Sequence, residues 1–338
     1  MQCIACFGRN ILWMSVAFSL ALSVSSVRAE EGASSKVPDL PFGITSFGAV
    51  RSGNALYVYG GNTGGAHSYS NDGQSNQLLK LELGKADAKW TAIGEGQRLQ
   101  GLALVAYKNW LIRVGGFNAH NEKGAKADLH SVDTVTAFDL TSQKWIDLPS
   151  LPSARSSHDA IVVGSKLYVV GGWKLDSPNE TKWHETALMM DLDSAKPEWK
   201  EMPKPPFERR ALALAHVDGK IYAVGGMDST DAPTKAVVCF DLTKQEWKDV
   251  PSLPTTDAMG GFGAAAWDID GKLVVSSIDG SLMVLAPNAT QWEILPKTKN
   301  ARFFHRILPF ANHELVSIGG ASMQSGKFLE SEIISIPK

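Results

Sequence analysis

The stretch "KLYVVGGW" (Lys166 to Trp173) decides the fold, because the chain writes it again as "KIYAVGGM" (Lys220 to Met227), "ALYVYGGN" (Ala55 to Asn62) and "WLIRVGGF" (Trp110 to Phe117). Each copy is a short run of β-branched and aromatic residues, the signature of a buried strand of about five residues. A glycine pair at its end lets backbone pack closely or adopt positive φ. The first glycines of the pairs are Gly60, Gly115, Gly171, Gly225 and Gly319, at intervals of 55, 56, 54 and 94. The last interval is two units long. Within it "GKLVVSSIDG" (Gly271 to Gly280) copies "GKIYAVGGMD", with Ser276 and Ser277 where the glycines should be. The repeat therefore runs to six units.

A second marker follows each pair except the last: Trp90, Trp145, Trp199, Trp247 and Trp292. Between markers lie runs such as "DAIVV" and "AVVCFDL". "DG" at Asp218 and Asp270 and "GS" at Gly164 fit two-residue hairpins. Each unit thus reads as a four-stranded antiparallel sheet with strands a to d. Such a sheet cannot bury both faces alone, and stacking six around an axis does so.

This pattern resembles the Kelch-repeat β-propellers, whose repeat is marked by a double glycine after an apolar strand and a tryptophan after the next. The resemblance covers essentially the whole chain beyond its first 29 residues and implies an all-β, six-bladed Kelch-type β-propeller. The fifth unit departs from the family, lacking its glycines and carrying Leu285 where Phe138 and Phe240 stand in other units. The sixth ends at "SEIISIPK" (Ser331 to Lys338) before any fourth strand. At the other end "VPDLPFG" (Val37 to Gly43) matches "LPSLPSA" (Leu148 to Ala154), the exit from a fourth strand. The ring is therefore expected to be closed by an N-terminal strand, near Gly32 to Val37, completing the last blade and removing an open edge.

The chain begins with Arg9, an apolar run from Ile11 to Val24 and the cleavage pattern Val27-Arg28-Ala29. That reads as a secretory signal peptide over residues 1–29, leaving a single propeller domain over 30–338 and a secreted or periplasmic protein. The run is about 14 residues against the roughly 20 that span a bilayer, so no membrane span is expected after cleavage. Removing Arg9 and Arg28 leaves 31 bases against 35 acids, which argues against nucleic acid as a partner. Cys3 and Cys6 fall within the signal. Only Cys239 remains, in a run that reads as core, so neither a disulfide nor a cysteine zinc site can be built.

From each tryptophan to the next pair the spacing is 25 to 29 residues, whereas from each pair to its own tryptophan it is 16 to 30. Length variation is thus concentrated in the connection from b to c, on one face of the ring, and such loops often bind. The long ones, starting at Asn62, Phe117 and Trp173, belong to the first three units. The same face receives the start of strand a, with Arg98, Arg155, Arg209, Arg210 and Arg302. Two readings are open for these arginines: a partial ring for a carboxylate or phosphate, or braces that bond loop carbonyls and the nearby acids Asp128, Asp176, Glu180 and Asp231. Phe117, Trp173, Trp183 and His184 join the candidate ligand-binding set, since amphipathic aromatics suit a sugar or a peptide. The five d-strand tryptophans are assigned to contacts between blades.

His158 and His305 occupy one repeat frame, which argues for scaffold. His67, His120, His130 and His184 lie on the variable loops, and separation across three units speaks against a metal site, so neither a metal nor a cofactor is expected. No catalytic motif such as G-x-S-x-G occurs. Galactose oxidase-like relatives need a cysteine cross-linked to a tyrosine, which a core Cys239 does not offer. The resemblance to periplasmic sialic-acid mutarotases, in export, blade number and closure, implies an alternative as a sugar-acid mutarotase or epimerase. The leading expectation is a monomeric module that binds a protein, a glycan or an anionic small molecule through the arginine-bearing face.

Overall fold

The computed structural model describes residues 36–66, 68–179 and 181–338. The signal peptide, most of the closing strand, His67 and Glu180 lie outside these residues. The described residues contain strands, turns and loops without an α-helix, and none of their segments is a helix long and apolar enough to cross a membrane.

Six antiparallel sheets follow one another along the chain. Blade 1 consists of Gly48–Ser52, Ala55–Tyr59, Gln77–Glu82 and Thr91–Glu95, paired in that order as strands a, b, c and d. The same order holds through blade 5, with Ala265–Ile269, Lys272–Ser276, Leu282–Leu285 and Glu293–Leu295. The serine-bearing unit is therefore a complete blade, and Leu285 is buried in the place of the missing aromatic. In blade 6 the b strand Glu314–Ser322 pairs with a at Phe303–Ala311 and with c at Glu332–Ser335.

The repeat's markers have separate physical jobs. At the a to b turn of blade 4, Asp218 and Gly219 have φ of 47° and 70°, two left-handed residues between the paired Val217 and Lys220. That twist matches the strands it joins. Gly171, at φ 75°, sits so close to the next blade that a Cβ would lie 2.2 Å from Leu212 Cδ2 and 2.6 Å from the Arg209 carbonyl oxygen. Glycine is required there by conformation and by space.

Each d-strand tryptophan donates its Nε1–H to the backbone of the preceding blade: Trp145 to Glu95 O, Trp199 to Pro149 O, Trp247 to Pro203 O and Trp292 to Pro251 O, at 2.7–2.8 Å. The apolar cores lie between blades. Tyr57 and Tyr59 neighbour Leu102, Leu104 and Phe138 across the first cleft, where Phe138 also meets Trp145 edge-on.

Trp90 of blade 1 donates to Pro38 O at 3.1 Å, so Pro38 stands to blade 1 as Pro149 stands to Trp199. Leu40 N donates to Leu329 O, Ser331 Oγ to Pro38 O, and Val37 is buried with Leu308, Val316 and Ile318 of blade 6. Residues 37–40 and 329–331 thus meet at the seam between the last blade and the first.

Strands a line the central channel. Across it Arg306 of blade 6 reaches Asp159 of blade 3, with Nη1 at 3.1 Å from both carboxylate oxygens. Asp159 also accepts from Leu214 N at 2.9 Å, and Arg306 Nε donates to Phe47 O.

Candidate functional site

Above this ion pair the channel opens into a depression of about 220 Å³. Its floor is a ring of backbone. The residue that leads each blade towards its channel strand, Ser46, Gly101, Ser157, Ala211, Gly263 and Phe304, is left-handed in every case, with φ between 52° and 63°. Gly101 N donates to Ser46 O, Ser157 N to Gly101 O, Ala211 N to Ser157 O and Phe304 N to Gly263 O, at 2.7–2.8 Å. These bonds lock blades 2, 3, 4 and 6 to their predecessors. A non-glycine residue in this conformation costs about 1 kcal/mol, and five of the six positions carry small side chains. Phe304 is the exception, and its ring stands at the mouth against Phe262 and Phe303.

The walls are unequal. The three long b to c loops join edge to edge on blades 1 to 3: Asn71 N donates to Asn121 O, and Ser131 N to Leu175 O. They present Tyr69, Phe117, Leu129, Trp173 and Leu175 to the cavity, with Tyr69 edge-on to Phe117 at 6.0 Å.

Of the five arginines expected here, only Arg210 lines the mouth. Its guanidinium carbon lies 4.0 Å from the Trp173 ring centroid and 5.6 Å from that of Trp183, and Nη2 is 3.4 Å from Asp231 on the rim. Arg155 is 1 % exposed and donates to Gly171 O, Thr186 O and Thr186 Oγ1 at 2.8–2.9 Å. Arg302 repeats this in blade 6, donating to Gly319 O beneath Phe328, with Glu332 at 3.9 Å. Arg209 donates to Ala236 O over Phe207, and half-buried Arg98 to Gln74 O. The expected arginine ring is corrected accordingly: these four fill crevices and hold carbonyls at the base of a b to c loop, Arg155, Arg209 and Arg302 in their own blade and Arg98, at the head of blade 2, in blade 1. The reason is solvation, since loss of water lowers the pKa of Arg155 and Arg209 to about 10 each, a cost that the bonded carbonyls offset, helped by the Thr186 hydroxyl at Arg155 and by the charges of Asp228 and Asp249 at Arg209.

Phe117 and Trp173 line the cavity as expected. Trp183 pairs across the hairpin from Trp173 at 5.5 Å and backs it. His184 lies off the cavity, its Nε2 bonded to Ala154 O, and burial with the Arg155 charge holds its pKa at about 4.

His158 and His305 also reach the cavity, from positions 3 % exposed. Burial keeps both neutral, with the Arg155 charge adding to it at His158, which is held well below the usual histidine range, and the Arg302 charge at His305, whose pKa falls to about 3. Trp173 Nε1 and Arg210 Nε have no partner, and the only polar group set against the His158 ring is the backbone of Val114.

The site thus combines aromatic walls, the Arg210 guanidinium, the ion-paired Arg306 at its base and several unpaired donors over a backbone floor. Tyr69, Phe304, Leu129 and Leu175 were not among the residues expected there. For Phe304 a signal existed in the sequence: aligned by repeat, it is the bulky residue at an otherwise small position.

A ring of six blades, five of them four-stranded and the sixth described in strands a to c, with glycine pairs ending strand b in five blades and tryptophans at strand d in the first five, is a Kelch-type propeller, a general protein-interaction fold. The chain belongs to the KLHDC2/KLHL20/DRC7 Kelch-repeats domain family, whose pattern matches residues 46–277. It is 24 % identical over 244 residues to Kelch-like protein 40 of Xenopus tropicalis, covering 70 % of this chain and 38 % of that protein. It is 26 % identical over 182 residues to Kelch-like protein terF of Aspergillus terreus, covering 49 % of this chain and 39 % of the relative, and 32 % identical over 122 residues to human Kelch-like protein 41, covering 36 % and 20 %. The chain spans well under half the length of these relatives. Among solved structures it is similar to that of YjhT, with a TM-score of 0.72 at 16 % identity, covering 89 % of this chain and 97 % of the other.

Proposed function

We propose that this propeller is an exported binding module that takes a partner's protein or glycan chain at the channel mouth, the contact being made by Arg210 with Trp173, Phe117, Tyr69 and Phe304. The observation that carries this reading is Arg210 itself: the other arginines of the face are spent on backbone, while this one lies on an aromatic face inside the cavity, with Nε unpaired. A stacked guanidinium offers its edge to a carboxylate or sulfate while the aromatic walls take the apolar part of the ligand. Asp231 is a rim-exposed partner that an anionic ligand can displace at little cost. The one-sided wall on blades 1 to 3 leaves the mouth open over blades 4 to 6, a shape that admits a chain segment.

A sugar-acid mutarotase would need a base at this mouth. The two histidines that reach it are held neutral by burial, His305 with a pKa of about 3, and so weak a base abstracts protons poorly near neutral pH. Binding without chemistry is therefore the favoured reading.

The test is a defined panel of glycans and acidic peptides screened with the wild type and with Arg210→Ala. Binding to anionic members that Arg210→Ala loses, with the melting temperature retained, supports the proposal. Hits that are indifferent to Arg210→Ala refute it. Faster anomer exchange of N-acetylneuraminate in NMR would restore the enzymatic reading.

A further inference from the structure

The hairpin that walls the mouth at blade 2 has a second face. Phe117–Ala119 pairs antiparallel with Leu129–Ser131, in the register Phe117 to Ser131, Asn118 to His130 and Ala119 to Leu129. One step further His120 N donates to Asp128 O at 2.8 Å. Residues directly opposite each other share a face, and so do residues two apart on one strand. Phe117 and Leu129 point into the mouth. His120, Asp128 and His130 consequently share the opposite face.

There the His120 and His130 rings stack at 4.5 Å with an interplanar angle of 24°. His130 Nε2 lies 2.7 Å from Asp128 Oδ1, and His120 Nδ1 lies 4.0 Å from Asp128 Oδ2. One donor atom from each of the three falls within 4.8 Å of the others. We propose that His120, Asp128 and His130 form a binding site for a divalent transition metal of the zinc class, with Asp176 of blade 3 as the carboxylate that orients His130.

The donor set suits that class: two imidazoles and one carboxylate, at 2.0–2.2 Å from the metal when closed, with a fourth position left for water. Tetrahedral donors at these bond lengths stand about 3.4 Å apart, so the wider separations close and the 2.7 Å contact between His130 Nε2 and Asp128 Oδ1 opens, which rotation of two half-exposed side chains supplies. His130 Nδ1 lies 3.6 Å from Asp176 Oδ1. When the metal takes Nε2, the imidazole proton resides on Nδ1, facing that carboxylate, which is the arrangement by which ligating histidines are commonly held. The second oxygen of Asp176 is turned to Lys174 Nζ at 3.6 Å and to Asn179 Nδ2 at 3.5 Å.

The backbone fixes all of this before any ion arrives. Asp128 N donates to Asn121 Oδ1, and Asn121 Nδ2 to Tyr69 O. On the far edge Leu129 N donates to Ser177 Oγ, Ser177 N to Leu129 O and Ser131 N to Leu175 O, which sets Asp176 beside His130. The site therefore clamps the wall of the mouth without depending on what the mouth binds.

The test is calorimetric titration of zinc chloride into the tag-free protein, alongside His120→Ala, His130→Ala, Asp176→Asn and the double histidine variant, with circular dichroism confirming each fold. The expected result is one saturable zinc per chain, weakened at least tenfold by either histidine substitution, about tenfold by Asp176→Asn, and abolished in the double variant. Cobalt bound in place of zinc should give a visible ligand-field band that disappears in the same variants. Absence of saturable zinc binding by the folded wild type overturns the proposal. So does binding that survives in the double variant.

Discussion

Breaking the ion pair across the channel should cost more stability than any single exposed salt bridge, because Asp159 and Arg306 tie blade 3 to blade 6 where hydrogen-bonded sheets do not connect them. At 3.1 Å and an effective dielectric constant near 20, the two charges attract by about 5 kcal/mol, an amount that desolvation largely offsets. Removing one partner of a buried pair costs about 3–5 kcal/mol. Arg306 is a quarter exposed, so water recovers part of that once Asp159 is gone. Asp159→Ala also strips Leu214 N of its acceptor, at about 1 kcal/mol or more. The net expectation is about 2–4 kcal/mol for Asp159→Ala, read as a melting temperature lower by roughly 5–10 °C in a domain of this size. Arg306→Met should cost a similar amount, since it leaves a carboxylate that is 7 % exposed. The double variant should cost less than the sum of the two, with a coupling of at least about 1 kcal/mol. Urea and thermal unfolding followed by circular dichroism measure all four corners of the cycle. Single losses below about 0.5 kcal/mol, or an additive double variant, would refute the reasoning that the pair fastens the ring.

Gly171→Ala should destabilise by about 2 kcal/mol or more, because it adds both left-handed strain and a clash with the Arg209 carbonyl; chemical denaturation checks this against Gly164→Ala, where a Cβ meets nothing within 4 Å. His305 links stability to pH. Its folded pKa of about 3 lies below the ordinary value of 6.5, so the unfolded chain binds the extra proton. Its contribution is complete above pH 6.5, falls by about 2 kcal/mol by pH 5 and continues to fall towards pH 3. His305→Gln should flatten the acid limb of a melting-temperature profile over that window. Trp247→Phe removes the Nε1 donation to Pro203 O and should lower stability by about 1 kcal/mol in the same denaturation assay while leaving ligand binding at the mouth unchanged.

The blade count, the strands, the hairpin turns and the role of the five tryptophans were legible in the chain because each depends on local chemistry that recurs with the repeat. Glycine at a left-handed turn and tryptophan reaching one blade back look alike at every copy. Even the seam was visible, since "VPDLP" carries the same proline that other blades offer to a tryptophan, and Trp90 takes it. The destination of Arg155 was not legible. An arginine bonding a loop carbonyl and one awaiting a ligand read alike, and only the depth of the crevice separates Arg155 from Arg210, its partner in the expected ring. His120, Asp128 and His130 are spread over eleven positions of a polar loop, and hairpin register alone folds them onto one face. Repetition determines architecture because every blade solves the same burial problem, whereas the mouth is made of the residues in which the blades differ, and their neighbours are chosen by the ring.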